Sequence, residues 1–277
     1  MRRGRLPQGP ASRRTWRSEL AYVIGLLVTD GYLSIDRRHI LLVSADIEQL
    51  ETFRRILELR NRICKHPAGR LGTPSLRVQF GDRLFHDWLS AIGFTPRKTY
   101  SIGALSIPDK FFPDFLRGHL DGDGSILAYA DRYNTRLKPE YVYQRLYVRF
   151  LSASRLHIEW LQTSITRLLG VDGYVTERRG PGATVPLCRL SFAKKDAIAL
   201  LRWIYYAPGV PCLARKRAIA EPFLTGDIRD FRHPRGFEAR EEPPQYHSAP
   251  PRSPRPFAST CSSPSPGFWE LSPRRPV

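Results

Sequence analysis

Two stretches of this chain are near copies of each other: Val23-Ile24-Gly25-Leu26-Leu27-Val28-Thr29-Asp30-Gly31 and Leu116-Arg117-Gly118-His119-Leu120-Asp121-Gly122-Asp123-Gly124. Each is largely apolar, carries a glycine near its start and closes on an acid followed by glycine. Asp30 and Asp123 lie 93 residues apart, which suits one small domain per copy. Gly25 and Thr29 are four residues apart, as are Gly118 and Gly122, so on a helix each pair shares one face. A glycine in a helix interior costs roughly 1 kcal/mol. Glycine at the same place twice therefore predicts two helices whose backbones approach closely along Gly25, Thr29, Gly118 and Gly122.

The surroundings repeat as well. A helix over about 18–30 leads into a hairpin ending at Ile40-Leu41-Leu42-Val43 and Ser44-Ala45-Asp46. A second helix follows, with Ile47, Leu50, Phe53, Ile56 and Leu57 at helical spacing. Then come the strand Leu76–Phe80, a helix through Leu84, Trp88, Leu89 and Ile92, and Pro96-Arg97-Lys98. After Gly124 the same order returns: a hairpin ending at Tyr147–Leu151, Ser152-Ala153-Ser154, a helix through Ile158, Leu161, Ile165 and Leu168, and strands near 173–177 and 188–192. A helix over about 194–205 and Ala214-Arg215-Lys216 close the copy. The expected fold is α+β, two αββαββα halves over about 18–110 and 111–230. The Arg-rich residues 1–17 and the Pro/Ser/Arg-rich residues 231–277 are expected to be disordered, because such segments bury too little apolar area to offset chain entropy.

The acids are an odd choice for helix C-termini, where the macrodipole disfavours a carboxylate by a few tenths to about 1 kcal/mol. Two of them meeting would also repel. A hard divalent cation, Mg²⁺ or Mn²⁺, held by Asp30, Asp123 and carbonyls freed at the helix ends answers both problems. Near a phosphodiester such a cation promotes hydrolysis. Gly31 and Gly124 are expected to end their helices in the left-handed conformation. An EF-hand reading of Asp121–Ser125 fails, because Ile126 and Arg132 stand where that loop needs glycine and glutamate.

These paired motifs resemble those of the LAGLIDADG homing endonucleases, in particular their single-chain, two-motif kind. The likeness spans about 18–220. It implies pseudo-twofold halves joined at the motif helices, with saddle-shaped antiparallel sheets that lie in the major groove of DNA. It implies metal binding by Asp30 and Asp123 with the Thr29 and Gly122 carbonyls. Catalytic support is implied from Lys98 and Lys216, which occupy matching places late in each half. Val28 departs from the motif where the second copy has Asp121, a position that is local or structural. His119 is expected to be a packing or interface residue rather than a base.

Charge agrees with a polyanion partner. The chain has 44 Lys+Arg against 26 Asp+Glu, formally +18. Discounting the two tails, about +10 remains in the middle, which favours nucleic acid. Strand alternation offers Arg37, Arg38, Arg77, Gln79, Arg149, Arg178, Arg179, Arg189 and Ser191 as groove-facing residues. Arg70, Arg132 and Arg136 would extend the contact. The two halves differ at these places, so the target is expected to be asymmetric. Four scattered cysteines without a C-x-x-C pair fit a reducing compartment. No apolar run spans a bilayer, so the expectation is an intracellular monomer acting on double-stranded DNA. The alternatives are an RNA maturase bound to intron RNA, or a non-cleaving DNA-binding protein on the same scaffold. An intein is disfavoured, since the chain has no nucleophilic start and no His-Asn end.

Overall fold

The computed structural model describes residues 9–67, 75–133, 142–180 and 185–226. The first half runs α1 (Ser18–Asp30), β1 (Gly31–Leu33), β2 (His39–Ser44), α2 (Ile47–Ile56), β3 (Cys64–His66), β4 (Ser75–Gly81) and α3 (Arg83–Ala91). The second runs α4 (Phe112–Asp121), β5 (Ser125–Asp131), β6 (Tyr143–Ser152), α5 (Arg155–Leu169), β7 (Tyr174–Arg178), β8 (Leu187–Ala193) and α6 (Lys194–Ile204). It is followed by one further helix, α7 (Ala214–Thr225). Each half carries a four-stranded antiparallel sheet with the same strand order, β1-β2-β4-β3 and β5-β6-β8-β7. This is the α+β fold that the duplicated order of signals predicts.

Alternation sets which face of each sheet meets its helices. Ile40, Leu42, Val78 and Phe80 are buried against the helices of the first half, and Leu146, Val148, Phe150, Leu190 and Phe192 against those of the second. The opposite faces are left open, carrying Leu41, Val43, Arg77 and Gln79 in one half and Tyr129, Tyr147, Arg149 and Arg189 in the other. Local signals start and stop the helices. Asp82 caps α3 by accepting from the Phe85 amide at 3.0 Å. Gly170 ends α5 at φ 70°.

Three local expectations change. Residues 9–17, grouped above with a disordered start, are folded down, with Ala11–Arg14 forming a 3₁₀ turn. Arg13 is buried: its guanidinium donates to the Leu57 carbonyl (2.8 Å) and to Asp82 (3.0 Å), with the Phe80 ring beneath it. Ile47 begins α2 but stands exposed. Gly31 and Gly124 are not left-handed. Gly31 is extended (φ −89°, ψ 163°), and a Cβ there would lie 2.5 Å from the Leu27 carbonyl oxygen. At Gly124 a Cβ would lie 2.7 Å from Leu120 Cα. Glycine is needed because the chain folds back on its own helix, not because φ is positive. The tail from 231 lies outside the described residues.

Candidate functional site

The site is built where α1 and α4 meet. Nearly all of α1 is buried: Leu20, Ala21, Tyr22, Val23, Ile24, Leu26 and Leu27 are 0–1 % exposed. A Cβ on Gly25 would lie 2.2 Å from the Phe115 carbonyl oxygen, and a Cβ on Gly118 2.0 Å from that of Tyr22. Tyr22 and Phe115 are themselves equivalent positions, so the two near-contacts are one contact repeated by the pseudo-twofold. Lower along the seam the halves differ. Gly122 has no side chain, and Thr29 Oγ1 fills that space, 1.9 Å from where a Gly122 Cβ would be. Asp30 Oδ2 lies in the same place, 2.7 Å from that point. The helices therefore run side by side and end together, with their acids at one spot.

Electrostatics show how close the acids are. Burial and the neighbouring Asp123 carboxylate push Asp30 up to about 7, against the lowering pull of Lys98, the Thr29 hydroxyl and Lys216. Thr29 Oγ1 donates to Asp30 Oδ2 at 3.2 Å. Asp123 has an open face to solvent. The protein packed behind it nonetheless raises its carboxyl, while Lys98 and Lys216 draw it down. Asp123 accepts no hydrogen bond from the described residues.

The two lysines plug the helix ends. Lys98 Nζ donates to the carbonyls of Val28 and Thr29, the latter at 2.6 Å. Lys216 Nζ lies within hydrogen-bond distance of four carbonyls, Leu120 (2.6 Å), Asp121 (2.8 Å), Gly122 (3.1 Å) and Gly124 (2.8 Å), which share its three N–H donors. Each ammonium thus satisfies the orphan acceptors of one motif helix and sits at the negative end of its dipole. Burial lowers both amines to about 8. The Thr29 and Gly122 carbonyls expected above to face a metal accept from these lysines, and each retains a second lone pair.

Asp121, in the motif position where the first copy has Val28, is structural. It is 2 % exposed. Its Oδ2 accepts from the Tyr22 hydroxyl of the other half (3.0 Å) and from the Leu213 amide at the start of α7 (2.7 Å). Four residues earlier, Arg117 is fully buried, donating to Asp114 (2.6 Å), the Ile204 carbonyl (2.6 Å) and the Pro211 carbonyl (2.7 Å). His119 packs in the second-half core, as expected. His157 Nδ1 faces the Gly103 carbonyl at 2.8 Å and must carry the proton there, so its Nε2 accepts from His119 Nε2 at 3.2 Å. Burial lowers both rings, His157 to about 4.

Each lysine segment is also held by the opposite half. Ser154 at the start of α5 donates to the Ile102 carbonyl, just past Lys98. Asp46 at the start of α2 pairs with Arg215 at 2.9 Å, and Glu48 accepts from the Ala214 amide at 3.2 Å. Equivalent positions, Asp46 and Ser154, thus grip equivalent segments in a reciprocal way.

The strand arginines sort by register. Arg77 and Gln79 share the open face of the first sheet. Beside them, Asn61, Arg62 and Cys64 complete a shallow concavity of about 250 Å³. Arg149, Arg178 and Arg189 share the open face of the second sheet. Arg38, Arg132 and Arg179 are exposed at strand ends. Arg37 differs from expectation: with φ 58° in the β1–β2 turn it bends back to Asp87 of α3 at 3.0 Å, toward the helix layer. Ser191 differs too. It is on the open face by register but is 0 % exposed, because its short side chain lies between the longer Arg149 and Tyr174 of the flanking strands. Arg70 and Arg136 lie outside the described residues. The tyrosines of this face and the buried Arg117 and Asp114 went unread in the sequence. For the tyrosines the signal was present, since Tyr129 and Tyr147 alternate in step with Arg149.

These elements make the fold of the LAGLIDADG homing endonucleases, two αββαββα halves joined by their motif helices. Among solved structures, the chain is similar to a double mutant of I-SmaMI (TM-score 0.50, 13% identity, covering 75% of this chain and 91% of that one). It is also similar to the I-LtrWI LAGLIDADG homing endonuclease bound to target DNA (TM-score 0.47, 13% identity, 76% and 90%). A third is full-length DUF199/WhiA from Thermatoga maritima (TM-score 0.46, 14% identity, 80% of this chain and 63% of that one), of which the chain spans less than two thirds. No family model matches the sequence, and no curated protein matches it. Among the described residues no helix is long and apolar enough to cross a membrane.

Proposed function

We propose that this protein is a site-specific, divalent-metal-dependent double-strand DNA endonuclease that works as a monomer. The observation that carries the reading is the meeting of Asp30 and Asp123 at the ends of two close-packed helices, where Asp30 is pushed to about 7. Two acids forced together, with the nearby Lys98 and Lys216 ammoniums committed to the helix-end carbonyls, fit a cation site. No group of three or more His, Cys, Asp or Glu side chains gathers among the described residues. A cation there is held by the Asp30 and Asp123 carboxylates and the free lone pairs of the Thr29 and Gly122 carbonyls, an all-oxygen set that suits Mg²⁺ or Mn²⁺. When bound, the metal supplies Lewis-acid stabilisation of charge on a phosphodiester and acidifies water.

The chain's own residues do the rest. Asp30 and Asp123 fix the reacting centre on the pseudo-twofold axis, so that one strand of a duplex is presented to each half. Lys98 and Lys216 hold the helix ends and keep positive charge beside the acids. The open sheet faces, basic at Arg77, Arg149, Arg178 and Arg189, flank that axis and bind the duplex on either side of the cut. The basic balance of the chain supports nucleic acid as the partner.

The test uses Asp30→Asn and Asp123→Asn with a plasmid carrying a target selected from randomised DNA. The expected result is loss of Mg²⁺-dependent double-strand cleavage with duplex binding retained. The metal-free stability should also respond to pH. A carboxyl whose folded pKa is raised binds its proton more tightly when folded, so Asp30 makes stability fall as pH rises from about 4 to 7. Asp30→Asn should flatten that fall, and Mg²⁺ should reverse it in the wild type alone. Both variants cutting at the wild-type rate would overturn the proposal.

A further inference from the structure

The two open sheet faces are chemically unequal. In the first half, β2 presents Leu41 and Val43, opposite Gln79 and Arg77 of β4. In the second half, Tyr129 and Tyr147 stack at 6.5 Å between ring centroids, and the Arg149 guanidinium lies 5.1 Å over the Tyr147 ring. Arg145 lies 5.6 Å over Tyr143 and is neutralised by Asp131 at 2.8 Å. Arg149 has no carboxylate partner among the described residues. Its charged neighbour on the next strand is Arg189, a like charge, and burial together with that neighbour lowers its pKa. Among the described residues Arg149 Nε is buried without a partner, and so is the Ser191 hydroxyl directly across the ladder.

Three features of that cluster point to an absent acceptor. An arginine side chain loses much rotamer entropy when it is fixed, and the stack on Tyr147 has already restricted this one. The plane of the fork is held on the face of the sheet, at mid-strand in β6, rather than waving from an edge. Two arginines on neighbouring strands without an acid between them are relieved by a group that accepts two parallel hydrogen bonds. In a major groove that group is the O6/N7 edge of guanine.

Resting on the reading that these faces meet duplex DNA, we infer that the second sheet is the discriminating half of the surface. Arg149, laid on Tyr147, reads a guanine there. The half-site under the second sheet supplies most of the affinity and base selectivity, and the half-site under the first sheet tolerates substitution.

The experiment is a binding selection from randomised duplexes in low salt, followed by affinity measurements on every single-base change of the recovered site. It needs no cleavage. Wild type should show one half-site in which changes weaken binding about 10-fold or more each, with a required guanine, and one half-site of smaller effects. Arg149→Lys should lower discrimination at that guanine about 10-fold. Tyr147→Leu, which keeps the arginine but removes its support, should do the same, and Arg77→Lys should change discrimination in its own half-site by clearly less than Arg149→Lys does in the other. Circular dichroism melts of each variant should match wild type. Equal sensitivity of the two halves would overturn the inference. So would uniform weakening of all sequences by Arg149→Lys, which marks a phosphate contact. Failure to enrich any duplex would instead sink the DNA reading itself, and this inference with it.

Discussion

Replacing Gly118 with alanine sets two effects against each other, and the structure decides the winner. In an isolated helix the change stabilises by roughly 1 kcal/mol, because alanine is the better helix former. Here the new Cβ would lie 2.0 Å from the Tyr22 carbonyl oxygen and 3.2 Å from Gly25 Cα. Both are backbone atoms of the facing helix, so no side chain can swing aside. Ordinary contact begins at 3.4 Å, so the helices must part by about 1.4 Å. A gap of 0.5–1 Å already forfeits about a quarter to a half of each dispersion contact across it, and overpacking alone costs about 1–3 kcal/mol. The net expectation for Gly118→Ala is a loss of about 3 kcal/mol. Urea unfolding followed by tryptophan fluorescence reads it as a midpoint lower by about 1 M, for an m-value near ~3 kcal/mol/M. Gly25→Ala should behave alike, since its Cβ meets the Phe115 carbonyl oxygen. An unchanged or higher midpoint for either variant would refute the close-packed seam.

The lysines should separate by experiment. Lys216→Met strands four carbonyls and unbalances Asp121, and is expected to cost about 3–5 kcal/mol in chemical unfolding. Lys98→Met strands two and should cost less while still depressing cleavage; the reverse order of stabilities would be inconsistent with the plugs. The histidine pair makes the fold acid-sensitive. With His157 lowered to about 4, the unfolded chain takes up the proton first, so stability is present above pH 6.5 and is lost as pH falls. Between pH 7 and 5.5 His157 should account for about 1 kcal/mol, measured as a fall in urea midpoint that His157→Asn reduces.

Much of this architecture was readable from residues alone, because duplication doubles every signal. The motif helices, the alternating strands and the paired acids each occur twice, and a coincidence of one is not a coincidence of two. What escaped reading did so for identifiable reasons. Strand β3 is three residues long, Cys64–His66, and pairs with Ser75–Arg77, so it has no apolar alternation to show. Arg13 and Arg117 look like solvated charges in sequence, yet each is buried where backbone carbonyls of distant segments converge on it, with Asp82 beside Arg13 and Asp114, one turn away on α4, beside Arg117. No local pattern carries that information. Gly31 and Gly124 were placed correctly as helix-ending glycines but for another cause, since chain reversal against a helix leaves the same residue as a left-handed cap. Ser191 obeys strand parity and is covered anyway, because parity sets a side chain's direction and not its neighbours' length.

The reciprocal grip of Asp46 on Arg215 and of Ser154 on Ile102 bears on how the polypeptide matures on the ribosome. The glycine-lined side of α1 has no cover until residues 112–121 emerge, and the first half's grip has nothing to hold until residue 214 does. At about 5–20 residues per second, the roughly 100 residues between those two events take some 5–20 s. During that interval the α1–α4 seam stands without the clasp of Asp46 on Arg215, and the same helices of a neighbouring nascent chain compete for it. Slower translation through the second half should therefore raise the yield of interlocked pairs at the expense of single chains.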